Sequence, residues 1–431
     1  MVAAIVVPPT LQQSWRHCTD ASNPEAAITA CGEIIQSGQA SGATLAAAYD
    51  DRGIAYAHKG LYDNAINDYT QAIQLNPDDA NAFVNRGIAY AHKGDYDHAI
   101  ADYDDATRLN PNDAMAFNSR GIAYDEKHNY NAAIKDFDTA IKLKPDDAAA
   151  FNNRGRTYDF GAQFDQAIQD FDAAIKLKPD YDLAYFNRGL AYSHEGQYDS
   201  AIKNFDSVIA LRPESAAAFD DRGNAYSHKG QYERAIKDFD QAIKLNPDDA
   251  KAFVNRGIAY RHEGQYDNAI KDYDLAIKLK PDDADAFNDR GIAYSYEGRY
   301  DRAIKDDDQA IKLKPDYALA FNDRCWNRAV LGQLPLALAD CNESLKLRPG
   351  EANTIDSRGF VYLKMQNAEA AIADYDAALK IDPKLAASLY GRGVAKHMMG
   401  DTAGGDADIA TAKKITPDIA NQFAKWGVTE H

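Results

Sequence analysis

The sequence predicts an all-α solenoid of antiparallel helix pairs, and three regularities carry that prediction. The dipeptide Arg52-Gly53 returns at Arg86, Arg120, Arg154, Arg188, Arg222, Arg256 and Arg290, lapses to Arg324-Cys325, and reappears at Arg358 and Arg392, always 34 residues on. Within each repeat the apolar and small residues recur at helical spacing, and turn residues separate two such stretches. A fixed period of this length means that each repeat stacks on its neighbours, so that repeat number itself supplies the core.

The elements follow in order. Residues 1–11, MVAAIVVPPTL, are apolar and short and lack a basic start, so they read as a flexible lead or the remnant of a signal peptide. From Trp15 to Ile35 a degenerate helix pair is expected, because Ala27, Ile28 and Cys31 imitate Ala65, Ile66 and Tyr69. Residues 12–45 are taken as an amino-terminal cap, with Ser37 to Thr44 a looser connection containing Gly38 and Gly42. In the first full repeat Tyr49, Arg52, Gly53 and Tyr56 fall at i, i+3, i+4 and i+7, one face of a helix. Lys59-Gly60 breaks that helix, and Tyr62, Ala65, Ile66, Tyr69, Ala72 and Ile73 form the second stripe. Leu75-Asn76-Pro77 ends the pair, and Asp78 and Asp79 open the next helix, where acids suit both cap and dipole. Eleven repeats then run as 46–79, 80–113, 114–147, 148–181, 182–215, 216–249, 250–283, 284–317, 318–351, 352–385 and 386–419. Residues 420–431 are expected to cap the carboxy-terminal end, with Ile419 to Trp426 amphipathic.

Tyr49, Gly53, Tyr56, Ala65, Tyr69 and Pro77 sit at the spacing of the tetratricopeptide repeat signature, and residues 46–419 resemble that family throughout. There are departures. The opening aromatic is Tyr or Phe rather than Trp and gives way to Ile355 and Leu389; the leucine before the glycine is arginine in every repeat; the glycine itself is Cys325 in the ninth. The resemblance implies a right-handed superhelix whose first helices line a concave surface, with ligands contacting positions two, five, nine, twelve and thirteen of the repeat. Those positions are Ala47, Asp50, Ile54, Ala57 and His58 in the first repeat and Asn81, Val84, Ile88, Ala91 and His92 in the second. In the seventh they are Lys251, Val254, Ile258, Arg261 and His262. Position nine varies most, through Ile122, Arg156, Leu190, Asn224 and Ile292 to Trp326, Phe360 and Val394, and Trp326 and Phe360 are the aromatic anchor candidates. The mix of apolar and hydrogen-bonding groups suits an extended or helical peptide. Arg156, Lys251 and Arg261 are too scattered to form the family's carboxylate clamp.

The repeated arginine lies on the packing stripe and therefore needs a partner. Sixteen residues on comes an acid, Asp68 for Arg52, Asp102 for Arg86, Asp136 for Arg120, and likewise Asp238, Asp272, Asp306, Asp340, Asp374 and Asp408, with Asn204 the exception. A ladder of partly buried pairs is expected, the alternative being guanidinium groups offered to an anionic ligand.

The chain holds 48 basic and 66 acidic residues, net −18, which argues against general nucleic-acid binding and against an anionic membrane surface. No apolar run approaches the ~18–20 residues needed to cross a bilayer. Four cysteines fall into two local pairs, Cys18 with Cys31 and Cys325 with Cys341. Each pair lies on opposing helices, which favours disulfides and a periplasmic or secreted location; the alternative is four buried thiols in a cytoplasmic protein. Neither CxxC spacing nor a histidine cluster points to a metal. There is no P-loop, GxGxxG after a strand, GxSxG or HExxH, and the Asp-rich junctions lack the calcium-loop glycine. Catalytic residues and cofactors are therefore not expected. His58, His92, His194, His228 and His262 recur at position thirteen; they read as solvated residues before the turn rather than a metal ladder. The function predicted is a non-catalytic scaffold that grips a protein or peptide along the first helices. The alternatives are a self-assembling solenoid that associates through its ends and a regulatory subunit of a separate enzyme.

Overall fold

The computed structural model describes residues 11–20 and 22–430. The described chain is helical throughout, without a strand, and divides into two compact bodies at Pro213/Glu214. The first body contains α1 (Gln12–Cys18), α2 (Pro24–Gln36), α3 (Gly42–His58), α4 (Tyr62–Leu75), α5 (Ala80–His92), α6 (Tyr96–Leu109), α7 (Ala114–Glu126), α8 (Tyr130–Leu143), α9 (Ala148–Phe160), α10 (Phe164–Leu177), α11 (Asp182–His194) and α12 (Tyr198–Leu211). The second contains α13 (Ala216–His228), α14 (Tyr232–Leu245), α15 (Ala250–His262), α16 (Tyr266–Leu279), α17 (Ala284–Tyr296), α18 (Tyr300–Leu313), α19 (Ala318–Val330), α20 (Leu334–Leu347), α21 (Ala352–Lys364), α22 (Ala368–Ile381), α23 (Ala386–Met398), α24 (Thr402–Ile415) and α25 (Ile419–Lys425). In each body every helix packs on the next, and each first helix also touches the first helix of an adjacent repeat. This is an all-α solenoid of antiparallel helix pairs. Among the described residues no helix is long and apolar enough to cross a membrane.

Where a junction ends in a second aspartate, that residue caps the following helix. Asp79 accepts from the Asn81 amide, and Asp113 accepts from those of Met115 and Ala116. Most first helices end on a left-handed glycine such as Gly60 (φ 73°) or Gly94 (φ 75°); His128, Ala162 and Gln366 take the same conformation without that freedom. Inside most pairs, the first helix presses its glycine against the aromatic ring of the second. A Cβ on Gly53 would lie 2.6 Å from the Tyr69 ring, and one on Gly121 would lie 2.7 Å from that of Phe137. In the ninth repeat Cys325 and Cys341 take those two places, with Cα atoms 5.4 Å apart and sulfurs at bonding distance.

At the amino-terminal end Cys18 and Cys31 also stand at bonding distance, inside an apolar cluster with Leu11, Ile34 and Ala48. Leu11, expected to belong to a flexible lead, is buried there; residues 1–10 of that lead lie outside the described residues. The connection before the first full repeat is shorter than expected, because α3 already begins at Gly42 behind an extended Ser41.

Candidate protein-interaction surface

The repeated arginine is the joint between helices. Arg52 Nε and Nη2 donate to the two carboxylate oxygens of Asp68 at 2.7 and 2.8 Å, and the same two-pronged bond recurs from Arg86 to Asp102 and from Arg256 to Asp272. The guanidinium is thus engaged with protein, not offered to a ligand. Its third nitrogen reaches further: Arg120 Nη1 donates to Asp104, Arg154 to Asp138, and Arg256 to Asp240, each on the second helix of the preceding repeat. The guanidinium also lies near the aromatic face three residues before it, 5.3 Å from the Phe117 ring in the case of Arg120. The hydrogen bonds that Arg52 donates to Asp68 hold the guanidinium above its ordinary pKa, whereas burial pushes Asp272 upward against the opposing bonds from Arg256. In the repeat without the acid, Arg188 Nε donates to Asn204 Oδ1 at 2.8 Å, and the Asn204 amide is satisfied by the Ser200 carbonyl.

A second stitch joins consecutive first helices along the face they share. Asn85 donates to Asp50, Asn153 to Asn118, and Asn187 to Asn152 in the first body; in the second, Asn255 donates to Asp220 and Asn288 to Asp323. Burial outweighs the compensating contacts of several acids in and beside this row. Burial raises Asp50, Asp51, Asp289, Asp323 and Asp356 to about 6.

The expected contact residues are placed unevenly. Ile88 and His92 meet Ile122 and Glu126 around a shallow hollow of about 300 Å³ in the first body, and Asn81 is exposed. Val84 is 1 % exposed and offers no surface to an incoming chain. The scattered cations are already engaged: Arg156 with Asp125 at 2.9 Å, Lys251 near Asp220 at 3.6 Å, and Arg261 near Asp289 at 3.7 Å. Asn224 donates to Asp220. Val254 and Ile258 are half-buried among Tyr273 and Tyr294, and His262 is exposed. The histidines of position thirteen are exposed, and two of them also stack on a ring. His92 stacks on Tyr62 with centroids 4.9 Å apart, and His262 on Tyr232 at 4.6 Å, each ring meeting the preceding repeat. Tyr296 makes the same stack on Tyr266 at 5.2 Å, so a planar ring at position thirteen can pack on the repeat before it. Among the described residues no group of three or more His, Cys, Asp or Glu could hold a metal.

Trp326 and Phe360 do lie together, with centroids 4.8 Å apart, but the chain covers them itself. After α24 the tail turns back over the first helices of the last repeats. Trp426 meets Trp326 edge-on at 4.7 Å, Phe423 meets Phe360 at 5.8 Å and Tyr390 at 4.6 Å, and Phe360 is left 1 % exposed. Lys364 Nζ clamps this arrangement by donating to the carbonyls of Val330 and Trp426. The amphipathic pattern of 419–426 signals a covering helix, but no spacing in the sequence says that it reaches back to Trp326.

Stacked helix pairs, joined by polar ladders and carrying a wall of variable first-helix residues, define a helical-repeat scaffold for protein–protein interaction. Family models agree along the chain. Those described as tetratricopeptide repeat match residues 80–113, 114–147, 183–215, 221–284 and 284–317, and one described as TPR repeat matches 53–94, 163–194 and 359–400. Together these cover well over half of the sequence, and the chain belongs to the tetratricopeptide repeat family. No curated protein matches it. Among solved structures, the APC/C hetero-tetramer Cut9–Hcn1 aligns with 13 % identity over 97 % of this chain and 95 % of that chain, TM-score 0.53, which shows the shared fold. YrrB, described as a TPR protein with an unusual peptide-binding site, is 26 % identical over 43 % of this chain and 95 % of its own, TM-score 0.38. MamA is 29 % identical over 38 % of this chain and 96 % of its own, TM-score 0.36. The fold is in general a non-catalytic scaffold.

Proposed function

We propose that the wall of first helices binds a polypeptide segment that presents aromatic side chains from a short helix, and that the protein acts by holding that segment rather than by catalysis. One observation carries the reading: the wall of the last repeats already holds such a segment. Phe423 and Trp426, three residues apart on one face of the tail, seat on Trp326, Phe360 and Tyr390. Asn81, Ile88 and His92 in the first body, and Lys251, Val254, Ile258 and His262 in the second, are the corresponding wall positions for a partner's chain. The two cysteine pairs at bonding distance support residence in an oxidising compartment, a periplasm or the exterior.

The test uses the tail as its own probe. A labelled synthetic peptide of residues 416–430 is titrated into the full chain carrying Phe423→Ala and Trp426→Ala, and followed by fluorescence anisotropy. The loosened tail should admit the peptide at micromolar to sub-millimolar concentration, the unaltered chain should bind it at least about tenfold more weakly, and a further Trp326→Ala should abolish binding. No binding at about 1 mM by a variant that keeps its helical circular dichroism would overturn the reading.

A further inference from the structure

A cavity of about 610 Å³ opens in the second body where α17, α19 and the tail meet. Its walls are Tyr296, Tyr300, Trp326 and Trp426, and its polar lining includes Asp323 and Asn327. We propose that this cavity receives the ammonium or guanidinium group of a lysine or arginine side chain of the bound polypeptide, a specificity that rests on the polypeptide-binding reading above.

Several independent features converge on a cation. Aromatic faces around a carboxylate form the surroundings that attract an organic cation, through the ring quadrupoles and through charge. Asp323 accepts a bond from the Asn288 amide at 2.8 Å, and burial pushes its carboxyl up to about 6 against the hydrogen bonds of Asn288 and Asn322 and the more distant charge of Arg261, the sign of an acid incompletely compensated. Behind it lies a second acid. Asp307 stands where the other second helices carry a buried aromatic, or Cys341 or Ile409, and it is 0 % exposed. Asn327 links it to the cavity, donating to Asp307 Oδ2 at 3.1 Å while the Ser295 hydroxyl donates to Asn327 at 2.7 Å; Asp307 Oδ1 has no partner. Burial and the neighbouring Asp323 push the Asp307 carboxyl well above the usual carboxylate range, so a positive charge brought near would favour its ionised form.

The exchanges also cluster. Asp307 replaces an aromatic ring, Asn327 replaces the small residue of Ala55 and Ala89, and Trp326 replaces Ile54 and Ile88. Two of these departures from a nearly verbatim repeat, Trp326 and Asn327, line the cavity, and the third, Asp307, lies behind it bonded to Asn327. Lys425, the single cation among the lining residues, is exposed and comes from the tail, so the resident segment itself brings a lysine to the cavity edge.

The experiment uses the full chain carrying Trp15→Phe, so that emission comes from Trp326 and Trp426, and titrates N-acetyl-lysine methylamide and N-acetyl-arginine methylamide against the neutral N-acetyl-norleucine methylamide. At least one cationic probe should change the emission saturably while the neutral one does not. Asp323→Asn should weaken that response about tenfold, and Tyr296→Ala, at a ring 63 % exposed and so removable without disturbing the core, should weaken it as well. An equal response to the norleucine probe, no response to either cation, or full affinity retained in both variants would overturn the proposal. These probes lack a groove-spanning segment, so a failure here leaves the polypeptide reading standing, and failure of the tail-peptide titration leaves this readout intact.

Discussion

At the scale of single residues, the arginine before the packing glycine ties three helices with one side chain. Arg256 pairs with Asp272 on its own second helix and with Asp240 on the preceding one, and these two acids differ in their surroundings. The Asp272 side chain is 5 % exposed and that of Asp240 is 51 % exposed. Arg256→Ala leaves a buried carboxylate without its counter-charge and should cost about 3 kcal/mol. Asp240→Ala removes a solvated partner and should cost about 1 kcal/mol or less. Asp272→Asn should fall between them, since Asn204 already fills that role opposite Arg188. Repeat arrays do not unfold as one step, so the readout is native-state hydrogen exchange of the α15 and α16 amides. A double-mutant cycle on Arg256 and Asp272 without coupling would remove the buried pair from this account.

At the scale of the helix pair, the governing contact is glycine against ring. Gly121→Ala drives a methyl to 2.7 Å from Phe137, and because Phe137 is 0 % exposed with no room to retreat, the change should cost about 1–3 kcal/mol. The ninth repeat solves the same contact with Cys325 and Cys341, so reductant should lower the melting temperature of the parent chain. In a chain also carrying Cys18→Ala and Cys31→Ala, which removes the amino-terminal pair, the double substitution Cys325→Gly with Cys341→Tyr should melt at the same temperature with and without reductant; a parent chain that ignores reductant would show this contact to be apolar packing alone. The pair was legible in the sequence because each of its contacts lies at a fixed separation within one repeat: Gly53 with Tyr69, Arg52 with Asp68, and the two cysteines. What was not legible lies between repeats. Asp240 as the second partner of Arg256, the Asn288–Asp323 bond and the stacking of His92 on Tyr62 depend on how one repeat rotates onto the next, which no single-repeat pattern encodes. Folding of the tail onto Trp326 and Phe360 depends on a chain reversal of the same kind. Two of the expected wall residues, Val84 and Phe360, proved buried, one in the cluster formed by α5, α6 and α7 and one beneath the tail.

At the scale of the whole molecule, a chain of net charge −18 buries part of its acid, and this sets the direction of its pH response. Asp50 and Asp51 in the first body and Asp289, Asp323 and Asp356 in the second have carboxyls raised to about 6 by burial. A carboxyl whose folded pKa exceeds its unfolded value holds its proton more tightly in the fold. Its contribution is therefore fully present below the unfolded value of about 3.9 and is lost as pH rises through about 6. Each such group is worth no more than about 3 kcal/mol. Asp408 runs the other way: burial raises it, while hydrogen bonds from Arg392 and Lys396 bring it below its usual value. Its contribution fails only near and below pH 4, outside the window in which the others act. The melting temperature should accordingly rise as pH falls from 7 to 5, the reverse of a protein whose ionised carboxylates are all stabilised by pairing. Asp289→Asn with Asp323→Asn should flatten that dependence for amides of the second body and leave it unchanged for those of the first, a difference that hydrogen exchange at pH 5 and 7 can resolve once intrinsic rates are corrected. A melting temperature that falls steadily from pH 7 to 5 would mean that these acids are ionised and satisfied, and the incomplete compensation inferred for Asp323 would lose its support.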